Sequence, residues 1–542
     1  MVAVEASAAM NAAAAARKQI LAGPSGPRGL VQNKKVFGIA TFACLGGLLY
    51  GYNQGVFSGV LVMKAFERHM GDAVKNPTKK GWLTAILELG AWFGTIYSGI
   101  MAERISRKYT ILVNVAVFCV GVIIQTCSAV GNDSHILGGR FITGMGVGSL
   151  SMCVPMYNAE IAPPELRGSL VGLQQLAITF GIMISFWIDY GTNYIGGTGE
   201  SQLDAAWLVP LALQLVPAAV LGVGMVFMPF SPRWLVHHDR EDEALEVLAG
   251  LRNLAKDHPL IELEFLEIKA QSVFEKRTEK ERFPHLERSD TWSYIKLEGA
   301  GFASFFKTWS LFRRVMVATV TMTFQQWSGI NAVLYYAPSI FSSLGQDSNT
   351  INLLSTGVVG IAMFIATIPA VMYIDNLGRK PVLITGALGM GICHFIIAAI
   401  FGKNENQWES QRPAGWAAVV MGIALGASAN WMNNFIIGQV TPDMLANIRY
   451  GTFIFFGLLI TMGAGFIYFF VPETKQLSLE EMDVIFGSEG TAASDYERQA
   501  EISREIGLQD ALARLGHGEA TTKEQLPAVE KEEKEGSGKE TV

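Results

Sequence analysis

The sequence predicts an all-helical membrane protein whose helices form two related bundles. Of the 542 residues, 50% are hydrophobic and only 17% are charged, whereas soluble proteins carry about 25% charged residues. Eleven apolar runs approach the roughly 20 residues that cross about 30 Å of hydrocarbon as a helix. A charged motif recurs in the two parts of the chain that contain these runs, which indicates an internal repeat.

The runs divide the chain into five regions. Residues 1–35 are an alanine-rich arm without the apolar segment of a signal peptide, and six runs follow within 36–230. Residues 231–312 are polar with a helical pattern, 313–486 contain five further runs, and 487–542 form an acidic tail for which we predict disorder. The eleven runs are 36–62, 82–101, 110–130, 136–158, 170–190, 207–230, 315–341, 351–374, 381–401, 415–440 and 449–471.

Basic residues near the ends of the runs predict the orientation, because short loops rich in Lys and Arg remain in the cytoplasm. The short basic loops, the arm 1–35 and the segment 231–312 all fall on one side. We therefore expect a multi-pass protein of the plasma membrane with a cytoplasmic N-terminus, although the loop 63–81 is basic and falls outside. The basic residues of the short loops are Arg104, Arg107, Lys108, Arg167, Arg379 and Lys380.

The same charged pattern ends the second run of each half. Glu103 and Arg104 precede Arg107 in the first half, and Asp375 precedes Arg379 in the second. Such bases can pair with acids and with the carbonyl ends of neighbouring helices and so hold one end of a bundle closed. Retention of positive loops in the cytoplasm would also account for them. Internal repeats around a central binding site are typical of secondary transporters.

Three amide side chains, Gln325, Gln326 and Asn331, stand within the apolar run 315–341. An unpaired amide in apolar surroundings costs roughly 2–7 kcal/mol, so they must face one another, the backbone or a water-filled cavity. On a regular helix they would point about 0°, 100° and 240° around the axis, which is not one face. The helix is therefore enclosed by protein or unwound locally, for example at Gly329. Amides both donate and accept, which suits a neutral, hydroxyl-rich solute.

The sequence contains no pattern typical of an enzyme, a metal site or a nucleic-acid-binding protein. The eight histidines are scattered, the five cysteines lie in apolar runs without metal-type spacing, and no basic patch is interleaved with aromatic residues. We therefore expect no catalytic residue, no cofactor, no bound metal and no nucleic-acid partner.

Several motifs follow one another in a specific order. They are Gly139-Arg140-Phe141 with Gly144, Gly146 and Gly148, then Pro155–Gly168, Ser231–Leu235, Gln325–Pro338, Asn430-Trp431 and Val471–Lys475. Together they resemble the sugar porter family of the major facilitator superfamily, over about residues 36–486, with the overall character of a fungal hexose transporter. The resemblance implies two bundles of the major facilitator type that carry a monosaccharide, a hexose or a pentose, by alternating access. It also implies a monomeric carrier whose partners are a small sugar and the lipid bilayer.

The resemblance implies roles for individual residues. Amides would bind sugar hydroxyls, Trp431 would supply an apolar face, and Tyr335 and Tyr336 would belong to the outer gate. For Gln175 a hydrogen bond between helices stays open as an alternative, and for the two tyrosines simple packing. Gly144, Gly146 and Gly148 would allow close approach of neighbouring helices. The implied sugar-binding residues are Gln175, Gln325, Gln326, Asn331, Asn430 and Trp431. The implied cytoplasmic charge network is Glu103, Arg104, Arg107, Glu160, Arg167, Asp375, Arg379, Lys380 and Glu473.

One departure from the family concerns coupling to protons. Proton-coupled members usually carry Asp at the position of Asn53, facing the arginine that corresponds to Arg140. Asn cannot take up and release a proton, so we predict facilitated diffusion, with proton-coupled symport as the alternative.

The second half also departs from the family because it is too short. Arg107 and Gln175 are 68 residues apart, whereas the corresponding Arg379 and Asn430 are 51 apart, which leaves too little chain for a span, a turn and the start of the next span. We predict that the second half lacks about one helix, the family's tenth, and that 415–440 is a single span, giving eleven spans instead of twelve.

An odd number of spans would put the tail outside the cell, unless 415–440 does not cross the membrane or the last spans invert. Either arrangement should harm folding and transport. A non-transporting truncated form is therefore an alternative to a working carrier. A transporter-like sugar sensor is a separate alternative.

Overall fold

The computed structural model describes residues 33–127, 133–163, 166–283, 291–304, 306, 309–343, 349–377, 379–404, 441–445, 447–471, 498, 500–511 and 514. Helices occupy most of these ranges, and no β-strand occurs within them. The predicted all-helical fold class is confirmed.

Ten helices are described in the first half of the chain. The first two together make one membrane-length segment, and the last two make another. The helices are α1 Lys34–Ala43, α2 Leu45–Val60, α3 Lys64–Met70, α4 Asp72–Lys75, α5 Pro77–Ile105, α6 Arg107–Thr126, α7 Asp133–Ile161, α8 Arg167–Thr192, α9 Ala205–Leu213 and α10 Leu215–Phe227.

Local signals fix both ends of α5. The Asn76 side chain accepts hydrogen bonds from the backbone N–H groups of Thr78 and Lys79, as an N-cap does. At the other end Ser106 takes a positive φ of 100°, and its hydroxyl accepts from Tyr109 N and so caps α6. The end of the bundle where α5 begins is called the Pro77 end below, and the opposite end, where α6 begins, is called the Arg107 end.

Glycines bring α7 into backbone contact with α5. A Cβ added at Gly144 would lie 2.1 Å from Leu87 O, and one at Gly148 would lie 2.0 Å from Ala91 O. No side chain fits such gaps, so these two glycines permit the close approach of helices that the sequence predicts. The same packing fixes the position of residue 88, which lies between these two contacts on α5.

Four further helices form the central polar segment, as its helical pattern predicts. Trp234, Leu235, Leu248, Ile261 and Phe265 pack into a small core of their own. Trp234 Nε1 donates to Glu103 O at 2.7 Å, which docks the segment against the Arg107 end. The helices are α11 Pro232–His237, α12 Glu241–Arg252, α13 Pro259–Arg282 and α14 Thr291–Ser304.

The second half forms five described helices: α15 Trp309–Gln326, α16 Ile330–Ser343, α17 Asn349–Leu377, α18 Arg379–Asn404 and α19 Gly451–Phe470. Eight segments of the described chain are long and apolar enough to cross a membrane. Two more are of similar length, namely α7 and the pair α15–α16. The segment 415–440, expected to be one further span, lies outside the described residues, so the count of eleven is not tested.

The structure does fix the direction of the last helix. Gly402 on α18 faces the ring of Tyr450, Gly391 faces Thr461, and Lys380 lies 5.6 Å from the centre of the Tyr468 ring. α18 and α19 are therefore antiparallel. Thr78 Oγ1 donates to Asp443 at 3.1 Å, so α19 starts at the Pro77 end and finishes at the Arg107 end.

Part of the tail that was expected to be disordered is helical and contacts the central segment. Residues 500–505 and 508–511 are helical. Among the described residues, three ion pairs join the tail to α13. They are Arg277–Glu505 at 2.8 Å, Arg498–Glu281 at 2.6 Å and Arg514–Glu262 at 3.6 Å. The tail therefore lies at the Arg107 end, on the same side as the central segment, and the last described helix is not inverted.

Candidate functional site

The polar stretch of the second half is a broken helix. α15 ends at Gln326, α16 begins at Ile330, and Gly329 between them has a φ of +79°. This conformation favours glycine, and a Cβ at Gly329 would also lie 2.7 Å from the Phe456 ring. The sequence left open whether this helix is enclosed or unwound, and the structure shows that it unwinds.

His394 on α18 holds the break in place. Its Nε2 lies 2.7 Å from Ser328 O, and a carbonyl oxygen only accepts, so Nε2 carries the hydrogen. The break frees backbone carbonyls that a continuous helix would satisfy, and this bond satisfies one of them. In the sequence alone His394 is one of eight scattered histidines, without a motif that would assign it this role.

Unwinding brings two of the predicted amides together. Asn331 Nδ2 donates to Gln326 Oε1 at 2.7 Å, and the two side chains are 0% and 1% exposed. Three polar atoms beside the break have no hydrogen-bond partner among the described residues: Gln326 Nε2, Asn331 Oδ1 and Ser328 Oγ. Buried groups of this kind cost about 1–3 kcal/mol each when unpaired, so they are available to a polar ligand.

Other predicted ligands are not part of this buried cluster. Gln325 is half-buried, and Gln175 on α8 is exposed, whereas its neighbour Gln174 is buried against Gly47 of α2. Asn430 and Trp431 lie outside the described residues. The structure therefore brings together Gln326 and Asn331, whereas the side chain of Gln175 is exposed on α8.

The predicted gate residues form contacts between the two halves at the Pro77 end. Tyr335 and Tyr336 on α16 are each 1% exposed, and the Tyr335 hydroxyl donates to the Glu88 carboxylate on α5. Gln54 Nε2 on α2 lies 3.5 Å from the same hydroxyl. Lys80 Nζ donates to Ser339 Oγ at 3.1 Å. These contacts close the Pro77 end.

Apolar packing reinforces the closure. One buried cluster includes Phe57, Phe66 and Trp207 of the first half and Ile397 and Phe401 of the second half. Phe66 meets Trp207 edge-on, with ring centres 5.4 Å apart. Burial of such side chains contributes about 1.5–3 kcal/mol each, so opening this end requires compensating interactions elsewhere.

Sequence reasoning missed Glu88, although it stands in the apolar run 82–101 and the cost of polar groups in membranes could have singled it out. Glu88 is fully buried. Arg140 is also buried: its guanidinium lies 3.8 Å from the centre of the Phe57 ring, and Nη2 donates to Thr84 O at 3.0 Å. Asn53, expected to face Arg140, instead donates to Leu49 O of its own helix at 3.1 Å.

Among the described residues of the charge network predicted at the Arg107 end, the ion pair Arg107–Glu160 joins two members. Arg107 Nη2 pairs with Glu160 Oε1 at 2.9 Å, and Arg107 Nη1 donates to Ala102 O at 3.1 Å. His237 Nε2 lies 3.8 Å from Glu103 Oε1, and Arg104 lies in the last turn of α5. The side chains of the remaining members, apart from Lys380 over Tyr468, are not described: Arg167, Asp375, Arg379 and Glu473.

No group of three or more His, Cys, Asp or Glu residues within the described ranges is arranged to hold a metal ion. The five cysteines are unpaired thiols. The buried polar groups described at the break and at the Pro77 end include amides, hydroxyls, the Glu88 carboxylate and the Arg140 guanidinium.

Comparison with known proteins gives consistent matches over most of the chain. A family model described as "Sugar (and other) transporter" matches residues 39–423 and 413–486, in two pieces that overlap. A quinate permease of Neurospora africana is 31% identical over 503 positions, which cover 84% of this chain and 89% of that protein. A probable quinate permease of Aspergillus niger is 29% identical, with 84% and 88% covered. The aligned part of this chain, 84% of 542 residues, is about 455 residues long. The alignment with the Neurospora protein has 503 positions, so this chain has a gap at about 48 of them.

Solved structures match the fold. A proton:xylose symporter bound to 6-bromo-6-deoxy-D-glucose is 25% identical with a TM-score of 0.63, and the match covers 84% of this chain and 99% of that one. The partially occluded, inward-open form of a xylose transporter from E. coli is 25% identical with a TM-score of 0.60, covering 82% and 100%.

Proposed function

This chain belongs to the sugar (and other) transporter family and is a multi-pass membrane transporter rather than an enzyme, and we propose that its solute is a monosaccharide, a hexose or a pentose. The observation that carries the proposal is the set of unsatisfied groups at the helix break: Gln326 Nε2, Asn331 Oδ1 and Ser328 Oγ. They offer an N–H donor, a carbonyl acceptor and a hydroxyl, all uncharged. Sugar hydroxyls both donate and accept, so they can satisfy all three at once.

We propose transport by alternating access, in which the two halves rock around this site. The Tyr335–Glu88, Lys80–Ser339 and Thr78–Asp443 contacts hold the Pro77 end closed, and they must separate for that end to open. The ion pair Arg107–Glu160 joins α6 to α7 within the first half, which supports movement of that half as one body. Binding of the solute shifts the equilibrium only if it contacts the two conformations differently.

The implied sugar-binding set is Gln175, Gln325, Gln326, Asn331, Asn430 and Trp431, with Tyr335 and Tyr336 as gate residues. Gln326 and Asn331 are the best supported members because they are buried and joined by a hydrogen bond. Gln175 is exposed on α8, so it could bind a solute only from a water-filled space between the halves.

Quinate is the second candidate solute, because relatives 29–31% identical to this chain are named quinate permeases. Quinate is a polyhydroxylated ring that also bears a carboxylate, and a carboxylate calls for a cationic partner. The three unsatisfied groups at the break are uncharged, which favours a neutral sugar. Uptake of radiolabelled glucose and xylose, with quinate as competitor and then as labelled solute, separates the two; uptake of quinate alone would overturn the monosaccharide proposal.

We propose facilitated diffusion, because buried Asn53 cannot carry a proton, and its side-chain N–H donates to Leu49 O of its own helix. Sugar uptake by cells lacking other carriers should then show no accumulation above the outside concentration. Alkalinisation of the outside medium during uptake would instead identify the alternative, proton-coupled symport.

We propose that the N-terminal arm, the central segment and the tail are cytoplasmic, and that the carrier is a monomer in the plasma membrane. The basic loops at the Arg107 end support this orientation, and the ion pairs between the tail and α13 support a common side. Protease digestion of intact cells should leave a C-terminal epitope uncut, and cleavage from outside would overturn the orientation.

A non-transporting truncated form stays an alternative, because we propose that the 542-residue chain lacks one helix of its second half. The supporting observations are the two overlapping pieces of the family match, the 51-residue spacing from Arg379 to Asn430 and the unmatched positions of the quinate permease alignment. The test is an extended chain, in which the corresponding region of the Neurospora africana permease replaces residues 413–423. Uptake should rise at least tenfold in the extended chain; equal uptake by the 542-residue chain would overturn the proposal.

A further inference from the structure

Glu88 is a buried carboxylate that the proposed solute site does not use. It stands between Leu87 and Leu89 on α5 and is 0% exposed. Ionisable side chains are costly within a membrane, and those that occur there usually face the interior of a bundle and take part in ion or proton pathways. The amides at the helix break carry the proposed binding of solute, so Glu88 calls for a separate explanation.

The carboxylate contacts the opposite half of the protein. The hydroxyl of Tyr335 donates to Glu88 Oε1, and Tyr335 is carried by α16, which begins directly after the helix break. Gln54 on α2 extends the network, because its Nε2 lies 3.0 Å from Tyr50 Oη and 3.5 Å from Tyr335 Oη. In the proposed alternating access, opening of the Pro77 end separates α16 from α5 and breaks this contact.

Arg140 supplies the opposite charge. Its guanidinium donates to Thr84 O, one helical turn before Glu88, and it lies within electrostatic range of Glu88, Tyr335 and Tyr336. The described titratable groups that interact with Glu88 are Tyr50 from α2, Arg140 from α7 and Tyr335 from α16, and Tyr336 from α16 interacts with Arg140. With Glu88 ionised the cluster has no net charge, and with Glu88 protonated it carries one buried positive charge. The proton on Glu88 therefore changes the electrostatics of the closed gate.

We propose that Glu88 is a proton-binding site linked to the opening and closing of the Pro77 end. The proposal rests on the proposed alternating access. Opening removes the Tyr335 hydroxyl from the carboxylate and admits water, so the proton affinity of Glu88 differs between the two conformations. By linkage, proton binding then shifts the balance between them. If the pKa of Glu88 differs by one unit between the two conformations, protonation changes the ratio of the conformations about tenfold.

The test measures accessibility of the Pro77 end directly. Ser339 lies in the interface between the halves, so Ser339→Cys reports opening through its rate of labelling by a membrane-impermeant maleimide. The full-length protein in liposomes is labelled between pH 5.5 and 8. Each rate is normalised to that of the unfolded protein at the same pH and corrected for the native cysteines. We expect the normalised rate to change at least threefold over this range, and to be independent of pH when Glu88→Gln is added.

Two further variants sharpen the result. Asp189 on α8 is the matched control, because it is also a fully buried carboxylate of the first half; Asp189→Asn should keep the pH dependence. Tyr335→Phe removes the hydrogen bond but not the carboxylate, so it should displace the midpoint of the pH profile rather than abolish it. An unchanged profile in Glu88→Gln, or loss of the profile in Asp189→Asn, would overturn the proposal.

Solute exchange is measured in parallel on the 542-residue and extended chains, because it tests the proposed function separately. Glu88→Gln should retain exchange of labelled sugar at one fixed pH while losing its dependence on pH. If no sugar is exchanged by the protein with Glu88 intact but its labelling still varies with pH, the proposed solute is wrong and the proton site stands.

Discussion

The side chain of Asn331 donates a hydrogen bond to Gln326 across the break between α15 and α16, with 2.7 Å between Nδ2 and Oε1. The two residues are five positions apart in the chain, so on a continuous helix they would point in different directions. The break lets the second amide orient the first, and each retains one unsatisfied atom. This pair therefore combines a fixed geometry with unused hydrogen-bonding capacity.

Removing either amide should weaken solute binding. We expect Asn331→Ala and Gln326→Ala each to raise the KM for sugar uptake by the extended chain about tenfold to a hundredfold, since a lost hydrogen bond in a buried polar site costs on the order of 1–3 kcal/mol. The double variant should lose less than the sum of the two, because the side chains bond each other. No change in KM would show that the pair does not contact the solute, and additive losses would show that the two side chains act independently.

Gly329 should tolerate no side chain. Gly329→Ala puts a Cβ 2.7 Å from the Phe456 ring and 3.1 Å from His394, at a φ of +79°, so we expect about 1–3 kcal/mol of destabilisation. The measurement is the thermal midpoint in detergent, together with sugar uptake. Gly386→Ala on α18 is the matched control, because a Cβ there meets nothing within 4 Å. A similar midpoint for both variants would contradict the role assigned to the break.

Breaking the ion pair at the Arg107 end should be costly. Arg107 and Glu160 are only 13% and 9% exposed, and removing one partner leaves a buried charge uncompensated, at about 3–5 kcal/mol. Glu160→Gln should therefore lower the thermal midpoint, and the exchange Arg107→Glu with Glu160→Arg should recover part of the loss. Arg240→Ala serves as the control, because the Arg240–Glu243 pair is exposed and contributes at most about 1 kcal/mol. Equal effects at the two sites would contradict this expectation.

The tail should detach from α13 when its charges are disturbed. Arg277 beside Glu505 lowers the pKa of that carboxyl, so the pair is fully formed above the ordinary value of about 4.3 and is lost as pH falls through the lowered value. Limited proteolysis near residue 505 should accelerate in acid, in high salt and in Arg277→Glu. Adding Glu505→Arg to that variant should restore protection, and failure to do so would mean that the tail binds by other contacts.

Much of the architecture follows from the sequence because crossing a membrane is a local requirement. An apolar run of about 20 residues satisfies its own backbone as a helix, so the spans of the first half could be located without knowledge of their neighbours. The glycines 144 and 148 likewise predicted close packing, which their contacts with Leu87 O and Ala91 O confirm. The presence of polar residues at 325, 326 and 331 indicated a break or an enclosed helix in the same way.

The hydrogen-bond partners of those polar residues could not be predicted from local sequence. Whether Gln325 or Gln326 meets Asn331 depends on how the chain turns at Gly329, and that turn is fixed by His394 and Phe456 from other helices. Glu88 could have been recognised as costly, but its contact with Tyr335 depends on how the two halves meet.

By itself, then, the sequence determined that the chain is a helical membrane protein with an internal repeat, the resemblance to sugar porters, and the cluster of amides in the seventh run. These features can be derived from the hydropathy of each segment and from the order of the motifs along the chain. Only the tertiary structure decided the pairing of Gln326 with Asn331, the burial of Glu88 beside Arg140 and the antiparallel course of α19 along α18. Each of these depends on contacts between helices far apart in the chain, whose free energy is set by packing and burial rather than by any one segment.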